Sequence, residues 1–111
     1  MGIATEELPG GILRVILDGS LDITGASAID LQMNIIAGSR KAVLIDLTKV
    51  SFIGSMGLRA LVLPARAIKN HGGKIVLLNP NENVAQVLKT SGIDMLLPVY
   101  HDLELASAAL Q

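Results

Sequence analysis

Ala42-Val43-Leu44-Ile45-Asp46-Leu47 is an apolar run interrupted by a single carboxylate. A strand covered on both faces reads this way, because it has no solvent side to mark with polar residues. Covered strands of this kind belong to parallel sheets flanked by helices, so this stretch predicts an α/β fold. Working outward, Lys74-Ile75-Val76-Leu77-Leu78 repeats the pattern. Between the two, Leu58, Leu61, Val62, Ala65 and Ile68 recur at helical spacing and form a core-facing stripe. That is a strand–helix–strand unit, which needs a right-handed crossover. Pro64 falls inside the helix, where it removes one backbone donor and predicts a bend near Ala60. Gly72-Gly73 ends it.

On the N-terminal side, Gly2–Leu8 and Ile12–Leu17 flank the turn Pro9-Gly10-Gly11 and predict an antiparallel hairpin. A helix then starts at Asp22 or Thr24 and runs to about Ala37, with Gly38 as its stop. Ala28, Leu31 and Ile35 fall on one of its faces and Ile29, Met33 and Ile36 on the neighbouring one. On the C-terminal side, Asn79 is a cap candidate with Pro80 at the first helical position and Glu82 three residues after the cap. Val84, Val87 and Leu88 give that helix its apolar face, and Gly92 its stop. Leu96–Tyr100 reads as a short strand whose Pro98 favours a sheet edge. Asp102 caps a last helix carrying Leu105, Ala106, Ala109 and Leu110. The expectation is one small domain over residues 1–111. It has a mixed sheet of four or five strands, an antiparallel hairpin followed by parallel strands, and about four helices.

Composition narrows the function. The 111 residues carry 9 Lys and Arg against 10 Asp and Glu, which argues against a nucleic-acid binder, normally clearly basic. Cysteine is absent, so zinc ribbons, thiol chemistry and disulfides are excluded. Half of the residues are hydrophobic, enough for a core without such staples. The area scaling for this length gives ~5,800 Å² of folded surface, about a third of the unfolded value. No apolar run approaches the ~18 residues of a membrane span. The first seven residues lack the basic-then-apolar pattern of a signal peptide, and Glu6 stands where a myristoylation motif needs Ser or Thr. These features predict a soluble, cytoplasmic protein.

Catalytic constellations are hard to find. His71 and His101 are the only histidines, and only the His101–Asp102 neighbours come near ligand spacing, so no metal is expected. Gly54-Ser55-Met56-Gly57 lacks the Gly-x-Ser-x-Gly of a nucleophile elbow, and neither glycine pair has the spacing of a phosphate loop. A phospho-receiver domain would need an acidic pair beside Asp46 to hold Mg²⁺, whereas Asp18 and Asp22 read as turn and cap residues. We therefore expect neither an enzyme nor a cofactor.

One hydroxyl stands out. A buried strand delivers the chain to a loop, and the loop places Ser55 at a helix start. Ser is a preferred N-cap, so Ser55 reads either as a cap alone or as a phosphorylation site, favoured by the free N–H groups and dipole of the helix end. On the outward side of the same helix lie Arg59 and Arg66, with Met56 and Leu63 beside them. They read either as plain surface or as a partner-binding patch of adaptable apolar residues and rim arginines.

Asp46-Leu47-x-x-Val50-x-Phe52-Ile53-x-Ser55-x-Gly57-Leu58 resembles the signature of the STAS domain, specifically the bacterial anti-sigma-factor antagonists. Leu17-Asp18-Gly19-Ser20-Leu21-Asp22, Gly72–Leu77 and Leu88–Ile93 are similar to further family segments, in the same order. The resemblance implies a regulator that binds an anti-sigma factor which is also a serine kinase of the histidine-kinase-like ATPase fold. Phosphorylation of the serine opening the second helix, here Ser55, releases that partner, and a metal-dependent phosphatase reverses the modification. The implied partner-binding residues are Asp22, Gly54, Met56, Gly57, Arg59, Leu63 and Arg66. The family usually has Asp before that serine and Ser or Thr after it; this chain has Gly54 and Met56. The alternative is a STAS module that does not switch, a stress-complex scaffold or a transporter accessory subunit.

Overall fold

The Ala42–Leu47 run lies in the middle strand of a five-stranded sheet. The computed structural model describes residues 1–111. The elements are β1 (Gly2–Leu8), β2 (Ile12–Leu21), α1 (Ile23–Ser39), β3 (Ala42–Ile53), α2 (Ser55–Asn70), β4 (Lys74–Leu78), α3 (Glu82–Thr90), a 3₁₀ turn at Ile93–Met95, β5 (Val99–Tyr100) and α4 (Leu103–Ala109). Strand order in the sheet follows chain order, antiparallel between β1 and β2 and parallel thereafter. The expected mixed α/β sheet and its four helices are what the chain forms.

This order dictates the layering. Three successive crossovers move across the sheet in one direction, and a common hand puts α1, α2 and α3 on one face. Ile29 and Met33, Leu61 and Ala65, and Val84 and Leu88 accordingly share one large cluster with Leu13, Val15, Val43, Ile45, Ile75 and Leu77. The opposite face keeps a small cluster, in which Ala106 of α4 and Leu110 just after it cover Ile12, Leu44, Val76 and Leu78. The folded surface is 5822 Å², in line with the scaling from length. No helix is long and apolar enough to cross a membrane.

Several boundaries differ from expectation. β2 continues past Leu17 to Leu21, and β3 past Leu47 to Ile53, because each supplies the other with a ladder partner. Asp22, not Thr24, caps α1: its Oδ1 accepts from Gly25 N at 2.8 Å. α1 runs through Gly38 and ends where Arg40 N donates to Ile36 O. The Arg40 guanidinium there grips both carboxylate oxygens of Glu7, at 2.6 and 2.7 Å. Ala28, Leu31 and Ile35 are exposed, since only the Ile29–Met33–Ile36 side meets the sheet. Pro64 lies inside α2, as expected, and is buried there. The cap of α3 is Asn81 rather than Asn79. Asn79 takes a left-handed φ of 54°, which Asn tolerates, and Pro80 is buried before the helix begins. β5 shrinks to Val99–Tyr100, at the sheet edge as Pro98 suggested. Leu105 is exposed, because α4 turns Ala106 inward and only Leu110, its C-cap, joins it.

Candidate functional site at the start of the second helix

Beyond Asp46, β4 has no more partners to offer, and β3 continues as a two-stranded ribbon with β2. Its register is irregular. From Ile16↔Asp46 to Asp18↔Lys49, β2 advances two residues and β3 three. From Gly19↔Val50 to Ser20↔Phe52, β2 advances one and β3 two. Each bulge adds a residue to β3 and switches the facing of the residues after it. Leu47, Val50 and Ile53 thereby reach the core at a spacing of three, where a regular strand has two. Strict alternation from Val50 would have buried Phe52; the second bulge turns it outward, 53% exposed.

Only Gly54 separates β3 from α2, where a loop was expected. Its N–H donates to Leu21 O at 3.0 Å. Gly54 is itself the N-cap and has no side chain to bond the first turn. Ser55 is therefore the first helical residue and not the cap, and it is exposed. Gly57 is buried. A Cβ there would lie 2.2 Å from Leu21 O and 2.9 Å from Leu21 Cβ, so the first turn of α2 can sit on the end of β2 only with glycine at this position. Gly25 does the same for α1, its notional Cβ 2.0 Å from Ser20 O. The two helix starts thus converge on the last residues of β2.

Between them runs a groove of about 710 Å³. Ile23, Ala26 and Asp30 of α1 form one wall, and Met56, Arg59 and Leu63 of α2 the other. Ile23 is 72% exposed, and Met56 and Leu63 are also exposed. Asp22 lies at the groove's end through its cap role, with Ser20 Oγ donating to its second oxygen at 3.4 Å. Of the predicted site residues, the fold brings Asp22, Gly54, Ser55, Met56, Arg59 and Leu63 to this end of the molecule. Gly57 presents no surface, and Arg66 is exposed farther along α2, outside the groove lining. The α1 wall and the outward turn of Phe52 were not expected from the sequence. Ile23, an apolar residue directly after the Asp22 cap, was the available signal for the α1 wall.

The opposite face of the sheet carries a separate polar cluster. Asp46 is buried; its Oδ2 accepts from Arg14 Nε at 3.1 Å and Nη2 at 2.7 Å. Its Oδ1 accepts from Thr48 N at 3.0 Å and Oγ1 at 2.6 Å. Burial pushes this carboxyl up, but the Thr48 hydroxyl and amide together with Arg14 outweigh it and hold Asp46 below its ordinary value. Arg14 also reaches Glu6, and Asn79 donates to Thr48 Oγ1. With all its contacts directed to structure, Asp46 is a strand clamp.

Comparisons with known proteins agree with this architecture. Residues 4–106 match the STAS domain family. The chain is 30% identical over 103 residues to BtrV of Bordetella bronchiseptica, which bears the provisional name anti-sigma factor antagonist; the match covers 91% of this chain and 88% of that protein. An anti-sigma factor antagonist from Mycobacterium paratuberculosis superposes with a TM-score of 0.84 at 26% identity, covering 98% of this chain and 94% of that one. The anti-sigma factor antagonist SpoIIAA shares the fold at 19% identity. Its unphosphorylated form gives a TM-score of 0.79, covering 97% of this chain and 96% of that one. The phosphorylated Bacillus form gives 0.74, covering 97% and 99%. The sheet order, the glycine-seated second helix and these matches lead to one conclusion: the chain belongs to the STAS domain family.

Proposed function

We propose that this chain is a partner-switching anti-sigma-factor antagonist acting in the cytoplasm, and a regulator rather than an enzyme. With Ser55 unmodified it binds an anti-sigma factor that is also a serine kinase of the histidine-kinase-like ATPase fold. That kinase transfers the γ-phosphoryl group of ATP to Ser55 Oγ: the new P–O bond forms as the bond to ADP breaks, and the hydroxyl proton passes to a base of the kinase. The modified chain is released, and a metal-dependent phosphatase returns it by hydrolysis. The observation that carries this reading is the placement of Ser55. It is exposed at the first position of α2, beside the groove walled by Met56, Arg59 and Leu63. A phosphate there adds about −1.5 to −2 charge at the rim of an apolar contact. Repulsion and lost pairing then weaken binding by several kcal/mol with no refolding required.

Family membership and the names of the relatives support an anti-sigma-factor antagonist. Gly54 and Met56, in place of the usual Asp and Ser or Thr, favour the second reading, a STAS module that binds without being switched. Intact-mass measurement after incubation with the cognate kinase and ATP separates the two. The switching reading expects one phosphate on the parent chain, none on Ser55→Ala, and a Ser55→Ala variant that holds the kinase constitutively. A parent chain that binds the kinase yet stays unmodified supports the non-switching module. Phosphate uptake that survives Ser55→Ala removes Ser55 from the account.

A further inference from the structure

Arg59 stands four residues beyond Ser55 on α2, and both are exposed. Residues at this spacing share a helix face, with Cβ atoms ~5–6 Å apart. A helical side chain leans toward the N-terminus and covers the turn before its own Cα. Arg59 therefore reaches back over the turn that Ser55 opens. Asp30 faces it from the α1 wall, and these two are the charged residues lining the groove. They do not pair: the chain's three salt bridges join Arg14 to Glu6, Arg14 to Asp46 and Arg40 to Glu7. The guanidinium is uncommitted, and the groove lining is formally neutral.

From this placement we propose that Arg59 is the intramolecular receptor for a phosphate carried by Ser55. Phosphoserine offers three acceptor oxygens and a charge of about −1.5 to −2. The guanidinium fork matches such an anion with paired N–H donors. Drawn toward Ser55, Arg59 leaves Asp30 as the groove's only other charge. Groove and rim then pass from neutral to about −1.5 to −2 overall. The modification would thus act twice, adding a charge at the rim and withdrawing the cation that an acidic partner segment would have used. This deepens the proposed switch and rests on that reading for its purpose. The pairing itself does not depend on which kinase supplies the phosphate.

The test uses the full chain with phosphoserine installed at position 55 during translation, so no kinase is involved. Phosphorus NMR follows the second ionisation of the phosphate, ordinarily near ~6. A nearby guanidinium favours the dianion. The parent phosphoprotein should titrate about 0.3 unit or more below the same protein carrying Arg59→Gln. Arg59→Lys should recover part of the difference, and salt near ~1 M should abolish it. The Arg59 Nε–H signal should also shift when Ser55 is replaced by phosphoserine. Identical titrations with Arg59 and with Arg59→Gln overturn the receptor role while leaving phosphorylation by a kinase, measured separately, untouched. Failure of the kinase to modify Ser55 counts against the proposed function instead.

Discussion

Ala42–Leu47 and Thr48–Ile53 are the two halves of one strand, and they follow opposite rules. As far as Asp46 the first half runs in unbroken parallel register with a strand on each side, and Val43, Leu44, Ile45 and Leu47 are fully buried. The second half has β2 alone beside it, carries both bulges and alternates irregularly. Regular pairing stabilises the first half and leaves it nothing to present. Irregular pairing turns Phe52 out to solvent and delivers Ser55 to the surface at the head of α2. One strand thus serves as core at one end and as the mount of the candidate site at the other.

The sharpest way to break this contrast is in the core half. Ile45→Ala removes a fully buried side chain between Val15 and Leu77, and urea unfolding should show a loss of about 4 kcal/mol. Next comes the seat of α2. Gly57→Ala should gain ~1 kcal/mol from helix propensity. Its new methyl meets backbone at 2.2 Å, however, so overpacking prevails and a net loss of roughly 3 kcal/mol is expected. A Gly57→Ala protein as stable as the parent would contradict the close approach to Leu21.

Asp46 lies where the two halves meet, and Asp46→Asn should lose about 2 kcal/mol near neutral pH. Its folded pKa is depressed, so its contribution is present above the unfolded value of ~3.9 and is lost as pH falls through the folded value. The stability difference between parent and variant should therefore shrink as the urea midpoints are followed into acid. A difference that grew in acid would mean the Arg14 and Thr48 contacts do not hold the charged form. The smallest effect belongs to the exposed half. A buried Phe→Ala change removes about 3–5 kcal/mol, but Phe52→Ala should stay within ~0.5 kcal/mol of the parent. A loss above ~2 kcal/mol would show that the second bulge does not release the ring.

Much of the fold was legible because its signals are local. The double-sided apolar runs, the Gly72 and Gly92 helix stops and the Asp22 and Asp102 caps each depend on residues a few positions apart. The same holds for Ser55 at the head of α2. Misreadings came where a distant partner decided the outcome. Asn79 looked like a cap next to Pro80, but Asn81 takes the role, with its Nδ2 donating to Val50 O across the ribbon. Leu31 and Ile35 looked as fit for the core as Met33, but only one side of α1 meets the sheet.

Strand and helix segments, their order and the family signature around Ser55 are local properties, because hydrophobic period and capping chemistry are written within each segment. The bulged register that exposes Phe52, the clamp joining Arg14 to Asp46 across 32 positions, and the α1 wall that completes the groove arise only when the chain packs. These depend on how strands slide and helices settle against one another. That is a balance of pairings between residues far apart in the chain, and no local pattern encodes it.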